Sequence, residues 1–268
     1  MTQAVEHVRS DELQAVGEVI NVMHKRLSEA LMIDDLARAA HYSKFHFCRL
    51  FRKATGITPG RFLSALRLQQ SKRLLLATDL TVSDISCEVG YNSVGTFTSR
   101  FTKSVGLPPS IFRRTGGFLS ASAQRFRGYS AGSICLEGRL DVPPGYASEP
   151  VMLAAFPGPI PEGQPERCAV LAQPGRWRLN DVPAGTWYIG ALALGGKGGA
   201  TTPLLEEQAR FIAVEGPITV RNGQPPRWVD IQLRPVQPTD PPILFAPPRR
   251  LTPHTGMEAW DSYHALAG

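Results

Sequence analysis

Six side chains, Lys44, Phe45, Cys48, Arg49, Arg52 and Lys53, fall on one face of the stretch KFHFCRLFRKA at helical spacing. Phe47, Leu50, Phe51 and Ala54 fall on the other. A short helix with one apolar and one basic face suits insertion into the major groove of a nucleic-acid duplex. Arg49 has the most directed chemistry there. A guanidinium can donate two parallel hydrogen bonds to O6 and N7 of guanine, worth about 1–3 kcal/mol of discrimination. Phe45 has two readings, an apolar contact to a thymine methyl or a half-buried helix residue. Lys44, Arg52 and Lys53 suit phosphate oxygens, which set register without reading sequence.

Such a helix must be held, and the sequence around it supplies the means. Ile33, Leu36, Ala37 and Ala40 form the apolar stripe of a preceding helix, IDDLARAA, and His41-Tyr42 makes a tight turn. Ser43 can then cap the basic helix by accepting a bond from an otherwise free N–H. The whole arrangement recurs. Ile33, Asp35, Leu36, Ala40 and Tyr42 reappear 49 residues later as Val82, Asp84, Ile85, Val89 and Tyr91. With one residue inserted, Ser43, Phe47, Phe51, Gly56, Pro59 and Phe62 reappear as Ser93, Phe97, Phe101, Gly106, Pro109 and Phe112. An internal repeat of two helix-turn-helix units follows. Between them RFLSALRLQQSKRLLLA, residues 61–77, predicts a single connecting helix. Its cations Arg61, Arg67, Lys72 and Arg73 are read either as further phosphate contacts or as solvated charges.

The stretches IDDLARAA, YSKFHFCRLFRKATGITPGRFL, RLQQSKRLLL, VSDISCEVGYNS, FTSRF and GLPPSIFRR together resemble the tandem helix-turn-helix DNA-binding domain of AraC/XylS-type transcriptional regulators. The resemblance covers about residues 10–116. It implies seven helices, with recognition helices beginning near Lys44 and Val94 that enter neighbouring major-groove segments. It places base-reading side chains at Phe45, Cys48 and Arg49, although a cysteine is a poor hydrogen-bonding reader. In the second unit the corresponding face is Val94, Gly95, Thr98 and Ser99. Ser43 and Ser93, Thr96, Arg100 and Lys103 join the expected phosphate contacts. Where relatives often carry long polar readers, this chain has Val, Gly and Ser. Gly95 also weakens the start of its helix by up to ~1 kcal/mol. The first unit is therefore expected to dominate specificity. Many relatives place this domain last, so the sugar-binding logic of the family does not transfer.

Charge is divided as this reading requires. Residues 1–127 contain 18 Lys+Arg against 10 Asp+Glu, whereas the remaining residues contain 11 against 13. A polyanion is thus the expected partner of the first half alone, and the resemblance implies that it is double-stranded DNA. A run of ~20 apolar residues is absent, so no membrane span is expected, and the N-terminus lacks a signal-peptide core. Cys48, Cys87, Cys135 and Cys168 have no close pairing, and the six histidines have no ligand spacing. Reduced cysteines, no metal, no cofactor and a cytoplasmic location are expected. Scattered acids such as Glu137, Asp141, Glu149 and Asp181 do not pair for acid–base work, and no catalyst is expected.

Taken in order, Ser10 is expected to cap a helix over residues 11–30 with Leu13, Val16, Ile20, Met23 and Leu27 inward. Residues 1–116 form the first expected domain and 117–131 a Gly/Ser-rich linker. Proline then rises from 3 residues before position 128 to 20 after it. Seven short runs predict strands: 133–140, 151–156, 168–171, 177–179, 187–194, 211–220 and 228–233, punctuated by Pro/Gly turns. The expected fold class is therefore multidomain, an all-α tandem helix-turn-helix domain followed by an all-β antiparallel sandwich over residues 132–236. GSICLEGRL, GRWRLNDVPAGTWYI and WVDIQL resemble transthyretin-like (carboxypeptidase regulatory-like) modules, over about residues 130–236. That resemblance implies a structural, adhesion or binding module.

Trp177, Trp187, Tyr188 and Trp228 could line an apolar pocket or fill the core. The glycine-rich stretch 195–208 reads as a mobile loop lacking phosphate-loop spacing. Residues 237–268 read as a Pro-rich tail, either an arm across the domain or disordered, with Met257, Trp260 and Tyr263 hinting at a docking helix. The expected function is a sequence-specific, bacterial-type transcriptional regulator. Its β-domain tunes binding through a small-molecule effector, a homodimer contact or RNA polymerase. The alternative makes the β-domain itself the sensor or docking part that gates DNA binding.

Overall fold

The computed structural model describes residues 9–119, 134–146, 149–193 and 210–247. They fall into two compact units, residues 1–99 with 237–242 and residues 100–236 with 243–268. The expected linker from residue 120 onward, the loop at 195–208 and the docking helix around Met257 lie outside the described residues.

The first unit is helical. Helix α1 is Ser10–Lys25, with Asp11 and Glu12 in its first turn and His24 and Lys25 in its last, as the helix dipole favours. It buries Val16, Val19, Ile20 and Met23, while Leu13 stays exposed. Ser10 is the first helical residue rather than the cap. The Glu12 carboxylate instead accepts the Arg9 N–H at 3.0 Å. The helix also stops short of residue 30, where Arg26 turns to pair with Glu29 at 2.5 Å.

Helices α2 (Ile33–Ala39), α3 (Lys44–Thr55), α4 (Pro59–Ala77) and α5 (Val82–Glu88) follow, and α6 (Val94–Val105) begins in this unit. Ser43 caps α3 as expected, its hydroxyl accepting from the His46 N–H at 3.4 Å. Phe47, Phe51 and Phe62 meet edge to face at 5.5 and 5.4 Å, joining α3 to α4. Thr81 and Asp84 form a reciprocal capping box on α5, and Ser93 accepts from the Thr96 N–H at 3.3 Å on α6.

Among the described residues, the second unit holds the end of α6, helix α7 (Pro109–Arg114) and nine strands. Phe101 and Phe112 meet edge to face at 5.5 Å. Strands β1 (Ile134–Asp141), β4 (Gly175–Val182), β7 (Arg227–Trp228) and β8 (Ile231–Gln232) make one sheet. A second runs β3 (Arg167–Leu171), β2 (Val151–Phe156), β5 (Gly185–Ala193), β6 (Phe211–Val220) and β9 (Arg234–Pro235). The expected run 228–233 is two short strands, and both pair with β1 in parallel. The all-antiparallel expectation is corrected there. From β6 the chain crosses to the other sheet and arrives along the free edge of β1 in the same direction. Between the two pieces the Asp230 carboxylate accepts the Arg139 N–H at 3.1 Å, replacing a missing strand acceptor.

Both sheets feed one core, with Leu136, Leu140, Trp177 and Leu179 from the first and Leu153, Ile189, Ala191 and Ile218 from the second. Strand β2 is buried along its whole length. Its residues Val151, Leu153 and Ala155 face this core. Met152, Ala154 and Phe156 face a second cluster closed by Ile243 and Phe245, with the Phe156 and Phe245 rings 5.1 Å apart. Of the two readings of the C-terminal stretch, residues 243–246 take that of the packed arm.

Two stability effects follow. Trp177, Trp187 and Trp228 lie in strands of the β-rich unit, and residues 1–127 contain no tryptophan, so tryptophan fluorescence follows the unfolding of that unit. Phe245→Ala should lower its urea-unfolding free energy by about 3–5 kcal/mol, as truncating a buried aromatic does. A Cβ at Gly138 would sit 1.8 Å from the Val229 carbonyl oxygen. Gly138→Ala should therefore destabilise the same transition by at least the ~1–3 kcal/mol typical of overpacking, and an unchanged midpoint would contradict this close approach.

Candidate nucleic-acid interface

The turn that presents α3 is built from the α2 C-terminus. The His41 N–H donates to the Arg38 carbonyl and the Tyr42 N–H reaches back to the Ala37 carbonyl, both at 3.0 Å. The Gly90 N–H donates to Cys87 and the Tyr91 N–H to Ser86, both at 2.9 Å, making the same pair 49 residues on. This is the helix stop in which a left-handed residue lets the last carbonyls find donors. His41 (φ +57°) and Gly90 (φ +83°) occupy that left-handed position. The repeat in the sequence is thus a repeat in backbone geometry.

Beyond the first turn, Phe47, Leu50 and Phe51 are buried and fix the rotation of α3. The opposite face is open. Phe45 is 83% exposed, which rules out its half-buried reading. Arg49, Arg52 and Lys53 are exposed, and Cys48 is half-buried as a free thiol. Lys44 is also exposed, but its ammonium meets the Asp34 carboxylate of α2 at 2.9 Å. An exposed pair of this kind contributes little to stability.

On α6, Val94 is 38% exposed, Gly95, Thr96 and Ser99 are exposed, and Thr98 is half-buried beside buried Phe97. A side chain at Gly95 would meet only the Ser93 hydroxyl, at 3.7 Å. This face is therefore open but short-armed. Arg100 and Lys103, farther along the helix, are exposed in the second unit.

Two cations of α4 are corrected by the structure. Lys72 is 1% exposed and can neither touch a phosphate nor be a solvated charge. Arg67 is half-buried. Its Nε donates to the Leu27 carbonyl at 2.9 Å and its Nη2 to the Glu29 carbonyl at 2.7 Å. Burial draws its pKa down from the usual arginine value. The signal for Arg67 was present at Gly90: where the first unit tolerates a histidine, the second has the one residue without a side chain.

In the β-rich unit the four aromatics part company. Trp177 is 3% exposed in the core, its indole N–H without an acceptor, and Trp187 packs against the same core with its N–H on the Pro183 carbonyl at 2.8 Å. Tyr188 is half-buried, and Trp228 is 52% exposed with its N–H on Asp230 at 2.7 Å. Burial raises the Cys168 thiol to about 12 and the Cys135 thiol to about 11, so neither is a ready nucleophile near neutral pH. Among the described residues no group of three or more His, Cys, Asp or Glu is placed to hold a metal, and no helix is long and apolar enough to cross a membrane.

Residues 36–115 match the helix-turn-helix domain family. The helix-turn-helix-type transcriptional regulator YobQ of Bacillus subtilis is 36% identical over 96 residues, which are 36% of this chain and 40% of that protein. The helix-turn-helix-type transcriptional activator AarP of Providencia stuartii is 31% identical over 98 residues, 37% of this chain and 73% of AarP. A solved AraC-type regulator from Chromobacterium violaceum is 24% identical, with a TM-score of 0.38, over 40% of this chain and 96% of that one. The chain thus spans well under half of YobQ and nearly three quarters of AarP. By its tandem turns, its basic first unit and its likeness to AarP, of which it covers 73%, the chain belongs to the AraC-type helix-turn-helix transcriptional regulators, DNA-binding proteins.

Proposed function

We propose that α3 and α6 are the two recognition helices, that they enter neighbouring major-groove segments of a promoter, and that α3 supplies most of the sequence readout. The observation that carries this is the 83% exposure of Phe45, one helical turn from exposed Arg49 on a face rich in cations. An aromatic so exposed beside a reader arginine has a use on a base edge and none in the free protein. Arg52, Lys53, Arg100 and Lys103 hold phosphates, with Lys44 exchanging Asp34 for one. Ser43, Ser93 and Thr96, at the two helix N-termini, also face the backbone. Val94, Gly95, Thr98 and Ser99 offer methyl and close-backbone contacts only, so α6 docks more than it reads.

Arg49→Ala should cost about 1–3 kcal/mol of binding and relax preference at one base position, measured by competition among single-base variants of a selected duplex. Lys53→Ala should weaken all those duplexes alike and reduce the slope of log K against log salt by about one. Identical, sequence-independent losses for both variants would remove Arg49 from the readers.

The β-rich unit, read as a transthyretin-like sandwich, tunes DNA binding through α6. In support, the Ser104 carbonyl accepts from the Gly163 N–H at 2.5 Å and the Val105 carbonyl from the Ala246 N–H at 2.9 Å, all four residues lying in the second unit. An effector, a second copy or RNA polymerase acting on the sheets would reach α6 by this route. Gly163 has φ +77°, and a Cβ there would meet the Lys103 carbonyl oxygen at 3.1 Å. Gly163→Ala should thus change the DNA dissociation constant several-fold in fluorescence anisotropy, within the ~5–150-fold range of coupled sites. An unchanged constant in a folded variant would separate the sheets from DNA binding.

A further inference from the structure

Arg67 stands where the two helix-turn-helix units come nearest to sharing a side chain. It projects from α4. Its guanidinium donates to the carbonyls of Leu27 and Glu29, in the connection that leads into α2. The guanidinium carbon also lies 5.9 Å from the centre of the Tyr91 ring, in the turn before α6. A Cβ at Gly90 would meet the Leu27 oxygen at 2.6 Å, Arg67 Nη2 at 2.9 Å and its Cζ at 3.0 Å. The second turn therefore packs directly on the arginine and on the backbone that the arginine holds. The Tyr91 hydroxyl and the Ser64 hydroxyl, at 3.3 Å, fasten the same turn to α4.

Helix α4 by itself sets how far apart the units are, because it is one continuous stretch of backbone. It does not fix how each unit is rotated about it. A fork of donors that grips the approach to α2 on one side and the turn before α6 on the other does fix that rotation. A lysine could not do the same, since its point charge lacks the planar fork and the stacking face.

We propose that Arg67 is the positioning residue that sets the relative phase of α3 and α6, and so determines which separation between two half-sites the protein accepts on DNA. This rests on the reading that both helices dock in the major groove.

The experiment selects the full chain and its Arg67→Met, Arg67→Lys and Gly90→Ala variants against a random-sequence duplex pool. Circular dichroism confirms that each is folded. The wild-type chain is expected to enrich two submotifs at one fixed separation. Arg67→Met should enrich the same first submotif with a spread of separations. It should also bind the wild-type-selected duplex about tenfold more weakly, while a duplex carrying only the first submotif is bound within about twofold of wild type. Arg67→Lys should not restore the single separation. Gly90→Ala, which pushes on the same contact from the other side, should broaden or shift the separation and covers the case of an unfolded arginine variant. A single, unchanged separation in the folded variants, with both duplexes weakened equally, would overturn the proposal and leave Arg67 a stabilising residue. Enrichment of one submotif by the wild-type chain would overturn the two-helix reading itself, and this proposal with it.

Discussion

Helix α4 is shared by the two helix-turn-helix units, and its buried side chains belong to the core of both. Helices α2 and α5 are seven residues each, well below the length at which a helix persists unaided. Helix α4 buries Phe62, Leu63, Ala65, Leu66, Leu68, Gln69, Ser71, Lys72 and Leu75, positions that run all round its axis. A helix buried on every side belongs at the centre of a domain rather than on its surface. It touches α1 and α3 of the first unit and α5 of the second. Both helix-turn-helix units are thereby referred to one rod.

The left-handed turn is the second constraint, and the two copies meet it differently. A residue with a side chain in the left-handed region carries a steric cost of roughly 1–2 kcal/mol, and histidine is among those found there more often than most. His41 bears that cost in the first copy, and Tyr42 and His46 stack just after it at 4.7 Å. The second copy has Gly90, and the reason is space as well as conformation, since Arg67 and the Leu27 carbonyl fill the volume a side chain would need. A duplicated motif has therefore kept its hydrogen bonds while one copy gave up a side chain to its neighbour. The exposed face of α3 carries long side chains, Phe45, Arg49, Arg52 and Lys53, where that of α6 carries the short Val94, Gly95 and Ser99.

Much of this was legible in the sequence, for identifiable reasons. Caps and stops are local, so Ser43, the turn residues and the helix ends near Gly56 and Gly106 could be read from neighbours alone. The repeat compounded them, since each signal occurred twice in register. The roles of Lys72 and Arg67 were not legible. A cation on a helical pattern is normally a solvent-facing residue, and only the three-dimensional placement of α4 at the centre overturns that. The arm ILFA, residues 243–246, was too short and too hemmed in by prolines to show a period. Its burial follows from the second face of β2, which the continuous run VMLAAF implied without saying what covered it. The parallel pairing of β7 and β8 depended on a crossover between sheets, which no local pattern encodes.

The last carbonyls of any helix must find donors or stay in water. At the end of α6 the Thr102 carbonyl accepts from the Gly106 N–H, while Ser104 and Val105 accept from the N–H groups of Gly163 and Ala246, and these two are not independent. The Leu244 N–H donates to the Pro161 carbonyl at 3.0 Å, so the two donor segments form one block. That block is anchored by Phe245 against Phe156, on the covered face of β2. The C-terminal end of α6 thus takes its position from the sheets through two hydrogen bonds and one aromatic contact. Packed interiors do not deform continuously, and shifts of about 1–2 Å between packed elements are the usual currency of switching. A ligand or partner that displaced the block by that much would have to carry the end of α6 along or leave two carbonyls without donors, at a cost of about 1–3 kcal/mol each.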